Sequence, residues 1–181
     1  TQRPHRRRQP PSGQKNYLMS RHDQLISWLN SAYSMEQSLA QVLENHVSDA
    51  KDFPWVRERL ELHLAETRRH AERVSESLDL LGSKPSTLKA AVGNISGMVQ
   101  GMSTGMFKDE LVKNFLSDYA AEHFEIACYR SLIAAAEELG QPKIAMIAQE
   151  ILRDEVEMAS WLEENIPEVT RLYLQQQHVA R

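Results

Sequence analysis

Four stretches of this chain combine apolar helical spacing with acidic or imidazole side chains on the same stripe. In DYAAEHFEIACYRSL, residues 118–132, Glu122 falls in line with Tyr119, Ile126, Tyr129 and Ile133. In YSMEQSL, residues 33–39, Glu36 lies three and four residues from Leu39 and Ala32. HLAETRRHAERV carries His63, Glu66 and His70 at steps of three and four, which puts all three on one helix face. EILRDEVEMASWL places Glu155 four residues after Ile151 and three before Met158. Burying one carboxylate costs several kcal/mol unless it is paired, protonated or bound to a metal. Several together repel one another, whereas two divalent cations would neutralise four of them. Carboxylate oxygens mixed with imidazole nitrogen suit iron or manganese, and zinc less exclusively.

The elements that must position these groups are four amphipathic helices. Apolar residues at steps of three and four predict helices over about 21–49, 54–81, 109–139 and 142–165. Pro54 stands where it can open the second, Gly82 and Gly140 where they can stop the second and third. Ile166-Pro167 is expected to interrupt the fourth, leaving 167–181 as a short helical or disordered tail. Two short hairpins flank a long connection, about 82–109, in which Gly93, Gly97, Gly101 and Gly105 recur every fourth residue alongside Met98, Met102 and Met106. This segment reads either as a marginal helix with a flat glycine ridge, able to pack on the bundle or a second subunit, or as a loop. The expected fold is all-α, a four-helix bundle with one long crossover between helices 2 and 3 over residues 19–166. YSME and YAAE also align as a weak internal repeat.

Composition agrees. The 181 residues include only seven glycines and seven prolines, and no run of about 18 apolar residues suggests a membrane span. No charged-then-apolar leader is visible. A single cysteine, Cys128, excludes an intramolecular disulfide, fits a reducing, cytoplasmic setting and is expected as a small buried side chain. Net charge is −4, yet Arg3, Arg6, Arg7, Arg8 and Lys15 sit in residues 1–18 without an acid, leaving −9 on the remainder. Residues 1–18 are expected to be a disordered basic extension. It reads as an arm for nucleic acid, a peptide bound by a partner, or an upstream extension ahead of Met19. No nucleophile elbow, phosphate loop or paired-cysteine zinc spacing occurs, which removes the common hydrolase readings.

AYSMEQSL, HLAETRRH and AEHFEIACY resemble, in content and order, the marks of the YciE/YciF-type ferritin-like proteins, over roughly residues 19–162. The resemblance implies a ferritin-like bundle, a homodimer or higher homo-oligomer, a link to stress responses and two divalent ions, iron first and manganese second. It implies Glu36 as the first-helix ligand, Glu66 as the bridging carboxylate of the second, and Glu122 and Glu155 on the third and fourth. Glu125 and His70 join them, with His63 and Asp154 as weaker candidates. The wider ferritin pattern of Glu-x-x-His on the second and fourth helices is broken twice, by Arg69 after Glu66 and by Met158 after Glu155. A thioether is a poor ligand for a hard divalent ion. Two function classes follow: a di-metal protein reacting with dioxygen or peroxide, and a non-catalytic helical interaction protein whose metal site is partial or lost. His123 and His46 are read as outer or packing histidines. Tyr33, Tyr119 and Tyr129 are read as core aromatics, one of which could donate to a ligand carboxylate. Trp28, Trp55 and Trp161 are read as packing anchors, and Arg68, Arg69 and Arg73 as a solvated face pairing with glutamates.

Overall fold

A computed structural model describes the backbone of residues 12–86 and 110–179, and the side chains of 21–86 and 110–175. The glycine–methionine stretch and residues 1–11 lie outside the described residues. Among those described, the elements are helices α1 (Ser12–Asp49), a single 3-10 turn (Ala50–Asp52), α2 (Pro54–Leu80), α3 (Glu110–Glu138) and α4 (Pro142–Val179). None of these helices is long and apolar enough to cross a membrane.

Local chemistry sets the helix ends. Pro54, with no N–H to leave unsatisfied, occupies the first turn of α2. Both glycine stops are formed: Gly82 and Gly140 take φ of 68° and 67°. Ser83 and Gly82 donate back to Leu78 and Asp79, and Gln141 and Gly140 to Ala136 and Glu137, which satisfies the last carbonyls of α2 and α3.

Two boundaries differ from expectation. α1 reaches back to Ser12, so residues 12–18 are helical. α4 runs through Pro167 without a break. Proline removes one hydrogen bond to the carbonyl four residues earlier; here that residue, Glu163, is exposed, so its carbonyl can turn to water. Beyond Pro167, Val169 is buried, and its packing draws the helix onward.

The core is two apolar clusters with a polar layer between them. One joins Leu25, Leu29 and Ala32 of α1, Val74 and Leu78 of α2, Tyr129 and Leu132 of α3, and Ile144 and Ile151 of α4. The other joins Leu43 of α1, Leu60 of α2, Phe115 of α3, and Met158 and Leu162 of α4. The early part of α1 therefore meets the late parts of α2 and α3 and the early part of α4. Helices α1 and α4 run one way, α2 and α3 the other. Leu80 and Glu110 consequently lie at opposite ends of the bundle, which is why a long connection separates two tight hairpins. Each fully buried leucine or isoleucine in these clusters stabilises the bundle by about 1.5–3 kcal/mol. The clusters together offset the cost of the polar layer they enclose.

Candidate metal centre

The polar layer is built from one or two residues of every helix. Glu36 from α1, His63 and His70 from α2, Glu122 and Glu125 from α3, and Glu155 from α4 are all buried. Each helix delivers its group because the flanking turns are pinned by the apolar clusters, and a side chain held at mid-stripe has nowhere else to point.

The geometry is organised around Glu155. Its Oε1 lies 2.9 Å from Nδ1 of His70, and its Oε2 lies 3.9 Å from Nε2 of His63. Glu36 Oε2 approaches His70 Nδ1 at 3.7 Å, while Glu122 Oε1 is 2.9 Å from His63 Nε2. Two groups of three result, Glu36–His70–Glu155 and His63–Glu122–Glu155, in each of which the donor atoms lie within 4.8 Å of one another. Glu155 belongs to both.

Each imidazole turns its other nitrogen outward to a carboxylate that an arginine holds. His63 Nδ1 meets Glu66 Oε2 at 3.3 Å, and Arg59 contacts the same oxygen at 3.3 Å. His70 Nε2 meets Asp154 Oδ2 at 3.1 Å, and Arg69 donates to it at 2.9 Å. With a proton on the outward nitrogen of each ring, the inward nitrogens, Nε2 of His63 and Nδ1 of His70, keep lone pairs for a ligand role.

Burial and crowded charge shift the titration of most of these groups. Burial alone would push His63 and His70 down. The carboxylates of Glu122, Glu66 and Glu155 overcome this and raise His63 to about 10. Glu155 and Glu36 likewise raise His70 to about 11. Burial raises Glu36, although contact with His70 opposes it. Glu125 is raised well above the usual carboxylate range by burial and then by the charges of Glu155, Glu36 and Glu122. Glu66, at the edge, is lowered, first by its hydrogen bond with His63. Tyr129, itself raised by burial and by Glu36, donates its hydroxyl to Glu36 Oε1.

Among the described residues six buried side-chain atoms make no aligned hydrogen bond, Asp118 Oδ2 being one. The other five are in this layer: Glu36 Oε2, Glu122 Oε2, both oxygens of Glu155 and His70 Nδ1, whose 2.9 Å approach to Glu155 Oε1 is an ion-pair contact. Leaving a buried polar atom unpaired costs about 1–3 kcal/mol, more when charged. These orphans converge on the two groups of three, and their chemistry, hard oxygen with imidazole nitrogen, fits divalent iron or manganese.

The candidates from sequence divide accordingly. Glu36, His70, Glu122 and Glu155 are brought together, and Glu125 lies among them. Glu66, expected as the bridging carboxylate, and Asp154, expected as a weaker ligand, stand outside as partners of the histidine rings. The position shared between the two groups goes to Glu155. His63, ranked below Glu66 on sequence, takes the inner place. Met158 packs into the apolar cluster with Leu162, and both groups of three take their histidine from α2.

Other assignments resolve similarly. His46 is paired with buried Asp118 at 2.8 Å, and His123 packs edge-on against Tyr119. Cys128 is only partly buried. Trp161 packs against Phe115 and Trp55, whereas Trp28 is 46% exposed. Arg68 pairs with Glu44, and Arg73 with Glu76 and Glu150. Sequence reasoning missed Arg59 and Asp118. The available signals were spacing: Arg59 precedes His63 by four, and Asp118 precedes Glu122 by four.

The sequence matches the family described as "Domain of unknown function (DUF892)" over residues 20–175. Among solved structures, a protein of Xanthomonas campestris is 31% identical with a TM-score of 0.75, covering 88% of this chain and 99% of its own. The Escherichia coli stress protein YciF is 22% identical with a TM-score of 0.72, covering 83% and 97%. A ferritin-like, diiron-carboxylate protein from Bacillus anthracis is 16% identical with a TM-score of 0.66, covering 81% and 97%. The fold is the ferritin-like four-helix bundle.

Proposed function

The chain belongs to the DUF892 family, the YciE/YciF-type ferritin-like proteins, and on that premise we propose that it is a di-metal carboxylate protein that reacts with dioxygen or peroxide. The observation that carries this reading is the pair of buried carboxylate–histidine groups sharing Glu155, in which Glu36 Oε2, Glu122 Oε2, both Glu155 oxygens and His70 Nδ1 are left without a hydrogen bond. Glu36, His70 and Glu155 would hold one divalent ion, and His63, Glu122 and Glu155 the other, with buried Glu125 nearby as a further carboxylate. Iron, or manganese in its place, supplies one-electron chemistry toward dioxygen or peroxide, as a ferroxidase, an oxidase or a peroxide-removing activity.

The chain's own residues then have distinct tasks. The buried carboxylates favour the higher oxidation state, because negative charge in a poorly hydrated interior stabilises added positive charge. Tyr129 orients Glu36 through its hydroxyl. Glu66 and Asp154 orient the two rings and take the positive charge of Arg59 and Arg69 on their outer sides. The apolar clusters above and below exclude bulk water. We place this activity in a stress response, as the name of the similar Escherichia coli stress protein suggests, in a cytoplasmic setting that suits the single cysteine, and in a homo-oligomer, as the family resemblance implies.

Elemental analysis after anaerobic loading with Fe²⁺, followed by an optical spectrum on admitting air, tests the reading. Two ions per chain and an absorption change on oxidation are expected, both lost in Glu155→Ala. Unchanged metal content in that variant refutes the centre and leaves the helical interaction protein as the function class.

A further inference from the structure

The helices close over the polar layer, so a hydrated cation needs a way in. Among the described residues, the seam between α1 and α2 does not close. Between α1 and α2 lies a groove of about 550 Å³, lined among others by Glu36, Ala40, Glu44, Arg68, Ala71 and Glu72. Ala40 and Ala71, one from each helix, line it with short side chains. At its inner end is Glu36, which is fully buried and keeps Oε2 without a hydrogen bond while Oε1 accepts from Tyr129. At the rim, Glu72 is exposed, and Glu44 is bridged across the groove by Arg68. Three carboxylates thus face one guanidinium. A second cavity, between α1 and α3 beside Trp28, is mainly apolar, and of the buried carboxylates none lines it.

Resting on the proposed di-metal centre, we propose that the α1–α2 groove is the entrance for divalent cations, passing from Glu72 and Glu44 at the rim to Glu36, so that the His70 group fills before the His63 group. Converging negative charge in a cleft raises the local cation concentration and the rate of capture. The Arg68–Glu44 pair suits a gate. Both side chains are about half exposed, and ion pairs so exposed hold weakly, so an arriving cation can displace the guanidinium.

The test is stopped-flow loading of the full metal-free chain with Co²⁺, followed by its visible absorption, with final stoichiometry measured separately. Glu44→Gln/Glu72→Gln should slow the fast phase on the order of tenfold, and high salt should shrink the difference. Arg68→Ala should speed the same phase. Neither variant should alter the cobalt bound at the end. The control, Glu163→Gln/Glu164→Gln, removes two exposed charges on α4 and should leave the rate alone. Opposite effects of removing acid and base cannot come from general loosening of the fold. Wild-type rates in both groove variants, with full loading, overturn the entrance and leave the centre standing. Failure of the wild-type chain to bind Co²⁺ overturns both.

Discussion

His63 and His70, seven residues apart on α2, present opposite ring nitrogens to the same interior: Nε2 of His63 faces Glu122, and Nδ1 of His70 faces Glu155. One helix therefore supplies the imidazole of both groups of three, and the two groups differ in which ring nitrogen faces inward although similar in composition.

That inequality makes the halves separable. His63→Gln should leave one ion per chain, held by Glu36, His70 and Glu155, and His70→Gln should leave the other. Metal-to-protein ratios from elemental analysis decide it. Loss of both ions from either single variant would show that the halves load only together.

The outward contacts give a different signature. Glu66→Gln and Asp154→Asn should keep two ions at saturation but weaken affinity about 10–100-fold, since they disturb ring orientation and basicity rather than the ligand set. Competition with a chelator measures this. Nitrogen NMR of the loaded protein should find the proton on Nδ1 of His63 and on Nε2 of His70. A drop in stoichiometry in Glu66→Gln would instead place Glu66 among the ligands.

Protons compete with metal here. His63 and His70 are raised to about 10 and 11, so near pH 7 each ion must displace a proton, and affinity should rise with pH. Calorimetry in buffers of different ionisation heat should detect protons released. For the metal-free fold the sign follows from the native state binding more protons than the unfolded chain. The histidine contribution is complete below about 6.5 and is lost as pH rises through 10 and 11. The raised carboxylates of Glu36 and Glu125 act in the same direction. The melting temperature of metal-free protein should therefore fall between pH 6.5 and 9, and loading with metal should flatten that fall.

Tyr129→Phe removes the donor to Glu36 Oε1 and leaves a second unpaired oxygen on a buried carboxylate. A loss of about 1–3 kcal/mol is expected in urea unfolding of the metal-free protein. The loss should shrink once metal is bound, because the ion then partners Glu36. An equal loss in both forms would confine Tyr129 to packing.

Much of the site was visible before the fold was known. Glu36, Glu122 and Glu155 each sit mid-stripe among residues that prove to be buried, such as Leu39, Ile126 and Ile151. A helix is a local structure, so its periodicity tells which residues share a face. The same locality explains the two glycine stops. It explains the Pro167 error as well: whether a helix survives a proline depends on what surrounds the freed carbonyl and what the next turn packs against, and neither is local.

The amino-acid order by itself determined four amphipathic helices and the acidic and imidazole groups that ride on their inner stripes, because hydrogen bonding within a helix and its 3.6-residue turn depend only on neighbours along the chain. Tertiary packing decided which of those groups meet. On α2, His63 and His70 differ by only about 20° around the axis, while Glu66 stands about 60° from His63. Burial of Val56, Leu60 and Val74 fixes the rotation of the helix, and that rotation turns both rings inward and Glu66 to the edge. Glu155 takes the shared position for the same reason: it is the α4 carboxylate that the two apolar clusters, closing from either side, hold between the two rings.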